Sequence, residues 1–223
     1  MLAPRVAIWD VPLRLFHWAL AALVVFSFVT GKIGGTVLEW HMRSGYAILA
    51  LLLFRLAWGV VGSHTARFAA FVRGPRAVMS YLRASLAGRH HRAPGHNPLG
   101  GWSAVAMLAA LLLQAASGLF VDDEISTQGP LSGKVSNALV AKMTAFHSYN
   151  EWLVVGLVVL HLAAIAYYQW VAHVNLVGPM LHGNLAVDEP IPAPAQSPAW
   201  LAMVLAAIAA AAVYALVVVY PRG

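Results

Sequence analysis

The sequence predicts an all-α integral membrane protein, a four-helix bundle followed by one additional transmembrane helix. Three observations carry that expectation. Of 223 residues, 61% are apolar and only 10% charged, where about 25% charged is usual for a soluble domain, and mean hydropathy is +0.73. The apolar residues gather into five runs, each long enough to cross a hydrocarbon core of about 30 Å. Several of the ten histidines lie inside those runs, where an ionisable side chain is costly and marks a functional position.

The first run, Leu13 to Thr30, is broken only by Arg14 and His17. Arg14 can extend its stem to the headgroups, and Trp9 and Trp18 are expected at the interface. No small-residue cleavage site follows a short apolar core, so no cleavable signal peptide is expected. After the polar break GKIGG come Trp40 and His41, and then a second span, Gly45 to Val61, interrupted by Arg55. Residues 62 to 99 hold Arg67, Arg73, Arg76, Arg83, Arg89 and Arg92 with no acidic residue. Val78, Tyr81, Leu82 and Leu86 recur between them at helical spacing, which predicts an amphipathic helix on an anionic membrane surface. Residues 102 to 121 form a third span without histidine, its polar groups being Ser103, Gln114 and Ser117.

A loop of about twenty residues opens on Asp122, Asp123 and Glu124 and leads to the fourth span, about Ala145 to Trp170, which ends in the aromatic run Tyr167-Tyr168-Gln169-Trp170. Such a run suits an interfacial belt. The expected organisation is a four-helix domain over 1–183, a proline-rich linker over 184–198 and a terminal transmembrane helix over 199–223, apolar from Ala199 to Tyr220. No internal repeat stands out. Small residues in the last helix offer a packing surface, for a homo-oligomer among other occupants.

Charge and cysteine content narrow the chemistry. The absence of cysteine removes disulfides, thiolate zinc sites, iron–sulfur clusters and covalently attached c-type haem. The net charge of +6 comes from basic residues between apolar runs, where topology and lipid headgroups account for it and nucleic acid does not. The arginine-rich 62–99 segment and Arg5 and Arg14 place the N-terminus in the cytoplasm by the positive-inside rule.

His147 and His161 are fourteen residues apart. On one helix they return to within about 40° of the same face and stand roughly 21 Å apart along the axis. With the fourth span running inwards, His147 falls at the outer level with His41, and His161 deeper with His17. Two facing imidazoles without sulfur suit a haem with bis-histidine axial ligands, six-coordinate and fitted to electron transfer. Zinc or copper would want three or four ligands at one depth. The prediction is therefore two haem b groups, on the pairs His41 with His147 and His17 with His161. Arg55 lies fourteen residues after His41 and either pairs with a haem propionate or binds helix-end carbonyls. Gly45, one turn after His41, removes a side chain where a porphyrin face could press. Glu151 either carries quinone protons or holds an outer hydrogen bond. His64, His90, His91 and His96 read as solvated surface residues, and His173 and His182 as interfacial.

These residues also resemble the bacterial cytochrome b561 and nickel-hydrogenase b-type subunit family of diheme membrane cytochromes. The resemblance covers roughly residues 8 to 183 and rests on LFHW at 15 to 18, His41 with Gly45 and FRLAWG at 54 to 59, GHNPLGG at 95 to 101, the His147–His161 spacing, and HVNLVGPMLHG at 173 to 183. It implies that the membrane is a bacterial inner membrane, and haem ligation by His17, His41, His147 and His161. It also implies electron exchange with a quinone and with a periplasmic redox protein, such as a c-type cytochrome or a dehydrogenase. The acidic 122–142 loop is the expected docking surface. Two competing readings are a stand-alone quinone reductase oxidising a small donor such as superoxide, and a histidine-lined metal transporter.

Overall fold

The computed structural model describes residues 4–87, 95–125, 127–187 and 192–222, and His90 and His91 lie outside them. Two strands and eight helices follow in the order β1 (Arg5–Ala7), α1 (Val11–Ile33), α2 (Leu38–Val61), α3 (Phe68–Phe71), α4 (Pro75–Leu86), α5 (Pro98–Gly118), α6 (Asn137–Trp170), α7 (Val177–His182), β2 (Asn184–Ala186) and α8 (Ala199–Tyr214). Five of these, α1, α2, α5, α6 and α8 with its extension to Val219, are long and apolar enough to cross a membrane. The all-α, multi-span expectation is met.

Boundaries moved where local chemistry extends a helix past its apolar run. The fourth span begins at Asn137 rather than near Ala145 because Ser136 caps it, its hydroxyl accepting the Leu139 amide at 3.4 Å, and no proline follows before Trp170. At 34 residues, α6 is about 51 Å long and outruns the hydrocarbon core. The last helix widens into a π-helical stretch at Ala215–Val219.

The chain divides into two compact units, each built from parts of all five long helices. The first comprises residues 1–15, 57–107 and 157–202. Its centre is polar as well as apolar. Asp10, 4% exposed, caps α1 by accepting the Leu13 amide at 2.6 Å through Oδ1, and accepts the indole N–H of fully buried Trp58 at 3.0 Å through Oδ2. Both carboxylate oxygens are thus satisfied where an unpaired charge would be costly. The Thr65 hydroxyl donates to the Ile8 carbonyl. β1 pairs antiparallel with β2, Val6 opposite Leu185. This ribbon was not legible from three-residue strands, which are too short to show an alternation. At its end Gly183 takes φ 87°, and its carbonyl accepts the amides of Ile8 and Trp9.

Two residues of this unit differ from expectation. Trp9 is buried rather than interfacial. His96, expected in solvent, is half-buried and packs edge-on to Trp9 at 5.0 Å and against Phe71 at 4.5 Å between ring centroids. The two aromatic rings supply a partly apolar slot that the imidazole ring fills. His64 is exposed as expected, and His173 and His182 are exposed as well.

The second unit comprises residues 16–56, 108–156 and 203–223. Leu49, Leu119, Leu131 and Val213 form a core cluster in it, with Tyr46, Leu112 and Phe120 packed against them. The loop expected over 122–142 ends at Ser136, where α6 takes over, and its start is shaped by its own acids. Asp122 Oδ1 accepts the Glu124 amide at 2.8 Å, Asp123 Oδ1 accepts those of Ile125 and Thr127 at 3.0 and 2.8 Å, and an isolated bridge joins Asp122 to Gln128.

Replacing Asp10 by alanine removes a cap and orphans the Trp58 indole. The expected loss is about 2–3 kcal/mol of stability, seen as a lower thermal midpoint of the detergent-solubilised protein. Asp10→Asn, which keeps a capping oxygen, is expected to lose less.

Candidate functional site

Within the second unit, α2 and α6 bring His41 and His147 together, their ring centroids 6.1 Å apart and their planes at 87°. Each ring is held by the same device. Nδ1 of His41 lies 2.8 Å from the Ser27 carbonyl of α1, and Nδ1 of His147 lies 3.0 Å from the Gln114 carbonyl of α5. A carbonyl can only accept, so Nδ1 carries the proton in both rings and Nε2 is left with the lone pair. That is the tautomer of a metal-ligating histidine whose other nitrogen is fixed by a backbone acceptor.

The parallel extends along the supporting helices. Three residues after each carbonyl stands a hydroxyl that also donates to it, Thr30 to Ser27 at 3.1 Å and Ser117 to Gln114 at 3.0 Å. Four residues after stands a glycine. A Cβ on Gly31 would sit 2.8 Å from His41 Nδ1, and one on Gly118 would sit 3.0 Å from His147 Cε1. Hydroxyl and glycine together form a slot that admits an imidazole edge against the helix backbone. The signal was present as Thr30-Gly31 and Ser117-Gly118, each at the end of an apolar run. Sequence reasoning missed it because two dipeptides in unrelated surroundings do not stand out as a repeat.

The α6 side is laced further. Gln114 donates to the His147 carbonyl at 3.0 Å, and buried Asn150 donates to Gln114 Oε1 at 2.8 Å and to the Ala110 carbonyl at 2.9 Å. In a span without water these bonds satisfy groups that would otherwise be costly to bury, and they set the rotation of α6 against α5.

The pair fits an axially ligated planar cofactor. Two metal–imidazole bonds of about 2 Å each, with the inner halves of two rings, fill the 6.1 Å separation. Among the described residues no group of three or more His, Cys, Asp or Glu side chains gathers for a metal ion. A planar tetradentate group would supply the remaining donors. A Cβ on Gly45 would meet nothing within 4 Å among the described residues, which leaves the α2 backbone open one turn from His41.

The other predicted residues stand as follows. His17 is on α1 in the second unit, half-buried and edge-on to Trp18 with centroids 5.0 Å apart. His161 is on α6 in the first unit, also half-buried. Arg55 is 3% exposed on α2. Glu151, one turn after His147, pairs with Lys32 at 2.5 Å, and the Lys32 ammonium also lies over the rings of Phe28 and Trp152 at 5.4 and 5.2 Å.

Five apolar spans and a facing pair of oriented imidazoles are the features of a multi-pass membrane haem protein. Comparison with known proteins narrows the class. A family model described as prokaryotic cytochrome b561 matches residues 8–183, so the chain belongs to that family: it is a membrane b-type cytochrome with haem b as its cofactor. Two curated relatives, each called a probable Ni/Fe-hydrogenase B-type cytochrome subunit, are similar over most of their length. The Bradyrhizobium diazoefficiens protein is 23% identical over 213 residues, 81% of this chain and 86% of the relative. That of Azotobacter chroococcum mcd 1 is 24% identical over 211 residues, 80% and 87% of the two. No solved structure matches the chain significantly.

Valine at Gly31 or Gly118 intrudes on a ring of the pair. Either substitution is expected to weaken haem retention by roughly 10–100-fold, the range for lost outer support of a metal ligand, measured as haem per chain after detergent washing. Gly156→Val, where a Cβ meets nothing within 4 Å, is the control expected to retain haem.

Proposed function

We propose that this chain is a transmembrane electron-transfer subunit holding two haem b groups, which passes electrons between a quinone and a periplasmic redox partner. The observation that carries the reading is the His41–His147 pair, with both Nδ1 atoms committed to backbone carbonyls. Bound between two imidazoles, haem b supplies a one-electron iron couple with no open coordination position.

The chain's own residues hold and orient. His41 and His147 would hold one haem through Nε2, while the carbonyls of Ser27 and Gln114 fix the ring tautomers. His17 and His161 provide the second pair, an assignment that rests on the sequence: the fourteen-residue step from His147 to His161, and the inward run of α6. Arg55, fourteen residues from His41 on the same helix, offers a guanidinium to a propionate. Gly45 leaves α2 open to a porphyrin face. The arginines of 62–99 support a cytoplasmic N-terminus in a bacterial inner membrane.

The names of the relatives support a hydrogenase as the periplasmic partner. The acidic segment from Asp122 to Lys142, whose last residues lie in the first turns of α6, is the docking surface. Asp122 and Asp123 are spent on the loop's own backbone, so Glu124 is the acid expected to meet a basic partner. Glu124→Gln is accordingly expected to slow transfer from that partner without altering haem content, and an unchanged rate would remove the loop from the reading.

The purified protein is expected to contain two haems per chain and to show a b-type α-band in its reduced-minus-oxidised spectrum. His147→Ala and His161→Ala are each expected to remove one haem and leave the other. One haem per wild-type chain, or no loss on replacing His161, would overturn the two-haem assignment. Reduction by a quinol analogue in the purified subunit tests the quinone arm.

A further inference from the structure

We infer that α4 carries a binding site for an anionic phospholipid headgroup, formed by Arg76, Ser80 and Arg83 with Met79 beside them. These four residues line a cleft of about 390 Å³. Spacings of three, four and seven residues place them on one helical face, with the two guanidiniums about 10 Å apart along the axis. The opposite face is turned inward: Val78, Tyr81 and Ser85 are half-buried, whereas Arg76, Met79, Ser80 and Arg83 are exposed.

Two hydrogen bonds hold α4 beside the ends of two long apolar helices, where an interfacial belt is expected. The hydroxyls of Tyr81 and Tyr168 meet at 2.8 Å, which ties α4 to the aromatic end of α6, and the Trp102 indole donates to the Arg73 carbonyl at 2.7 Å, which ties the segment just before α4 to the N-terminal part of α5. Tyr167, Trp170 and Trp102 around these anchors are exposed, as residues of an interfacial belt are. An arginine pair held here faces headgroups rather than bulk water.

The arginines of this segment divide by use. Arg67 and Arg73 donate to the carbonyls of Gly62 and Ala70 at 2.7 and 2.8 Å. Arg76 and Arg83 make no ion pair or hydrogen bond among the described residues, and the whole 62–99 segment contains no acidic residue to neutralise them. A phosphodiester has the charge and acceptor oxygens for two guanidiniums and a serine hydroxyl. The methionine supplies an apolar contact for the acyl-chain side of the headgroup. The occupant is therefore an anionic phospholipid. The inference stands apart from the haem assignment.

The test uses the full-length holoprotein, stripped of lipid by detergent washing and offered equal amounts of phosphatidylglycerol and phosphatidylcholine, with bound lipid counted by native mass spectrometry. The wild type is expected to retain phosphatidylglycerol over phosphatidylcholine by roughly tenfold or more. R76Q/R83Q is expected to abolish the preference, while K134Q/K142Q, which removes the same charge elsewhere, keeps it. Haem content reports folding of each variant. Should R76Q/R83Q lose haem, the single variants R76Q and R83Q decide instead: each is expected to weaken the preference, and an undiminished preference in both overturns the inference. Equal retention of the two lipids by the wild type overturns the inference. So does a preference that survives R76Q/R83Q, which would assign the lipid elsewhere and leave α4 to an acidic protein surface.

Discussion

The constraint on which the site depends is the hydrogen bond from an imidazole Nδ1 to a helix carbonyl, made once on each side of the His41–His147 pair. Inside an apolar span a histidine has no water to satisfy its second nitrogen, and an unpaired one would be costly. A helix carbonyl has a second lone pair to offer, but only if the ring can approach the backbone. Gly31 and Gly118 permit that approach, and the hydroxyls of Thr30 and Ser117 share the same acceptors. The bond that satisfies the half-buried ring thus also leaves Nε2 as the nitrogen with the free lone pair. Support and ligand are separate helices in each case, so α1 with α2 and α5 with α6 form two matching halves.

A similar economy governs the first unit. Asp10 is a buried acid with two oxygens and two donors, one ending α1 and one arriving from Trp58. The β1–β2 ribbon and Gly183 tie the N-terminal segment to the chain beyond α7. These contacts join segments more than 170 residues apart in sequence, and they consume backbone groups that would otherwise lie unpaired at the membrane boundary. The arginines follow the same division, some spent on carbonyls and others turned outward on α4.

The number and type of the spans were legible because twenty apolar residues in a row admit few readings, and a bilayer enforces helices where backbone groups cannot meet water. Helix ends were less legible. Ser136 extended α6 by a turn and more beyond its apolar run, since capping is a local hydrogen bond and not a hydropathy signal. The environments of Trp9 and His96 were misread for a related reason: position in a basic segment says nothing about two aromatic rings arriving from elsewhere in the chain.

For the candidate site, the sequence by itself determined the residue types, the fourteen-residue periods and the match of depth between His41 and His147, because helical geometry converts spacing into face and height. Only the tertiary structure decided the tautomers, the carbonyl partners and the part played by Ser27, Gly31, Gln114, Ser117, Gly118 and Asn150. Those depend on which helix lies against which, and a hydrogen bond between residues 33 apart, such as His147 with Gln114, leaves no periodic trace in the chain.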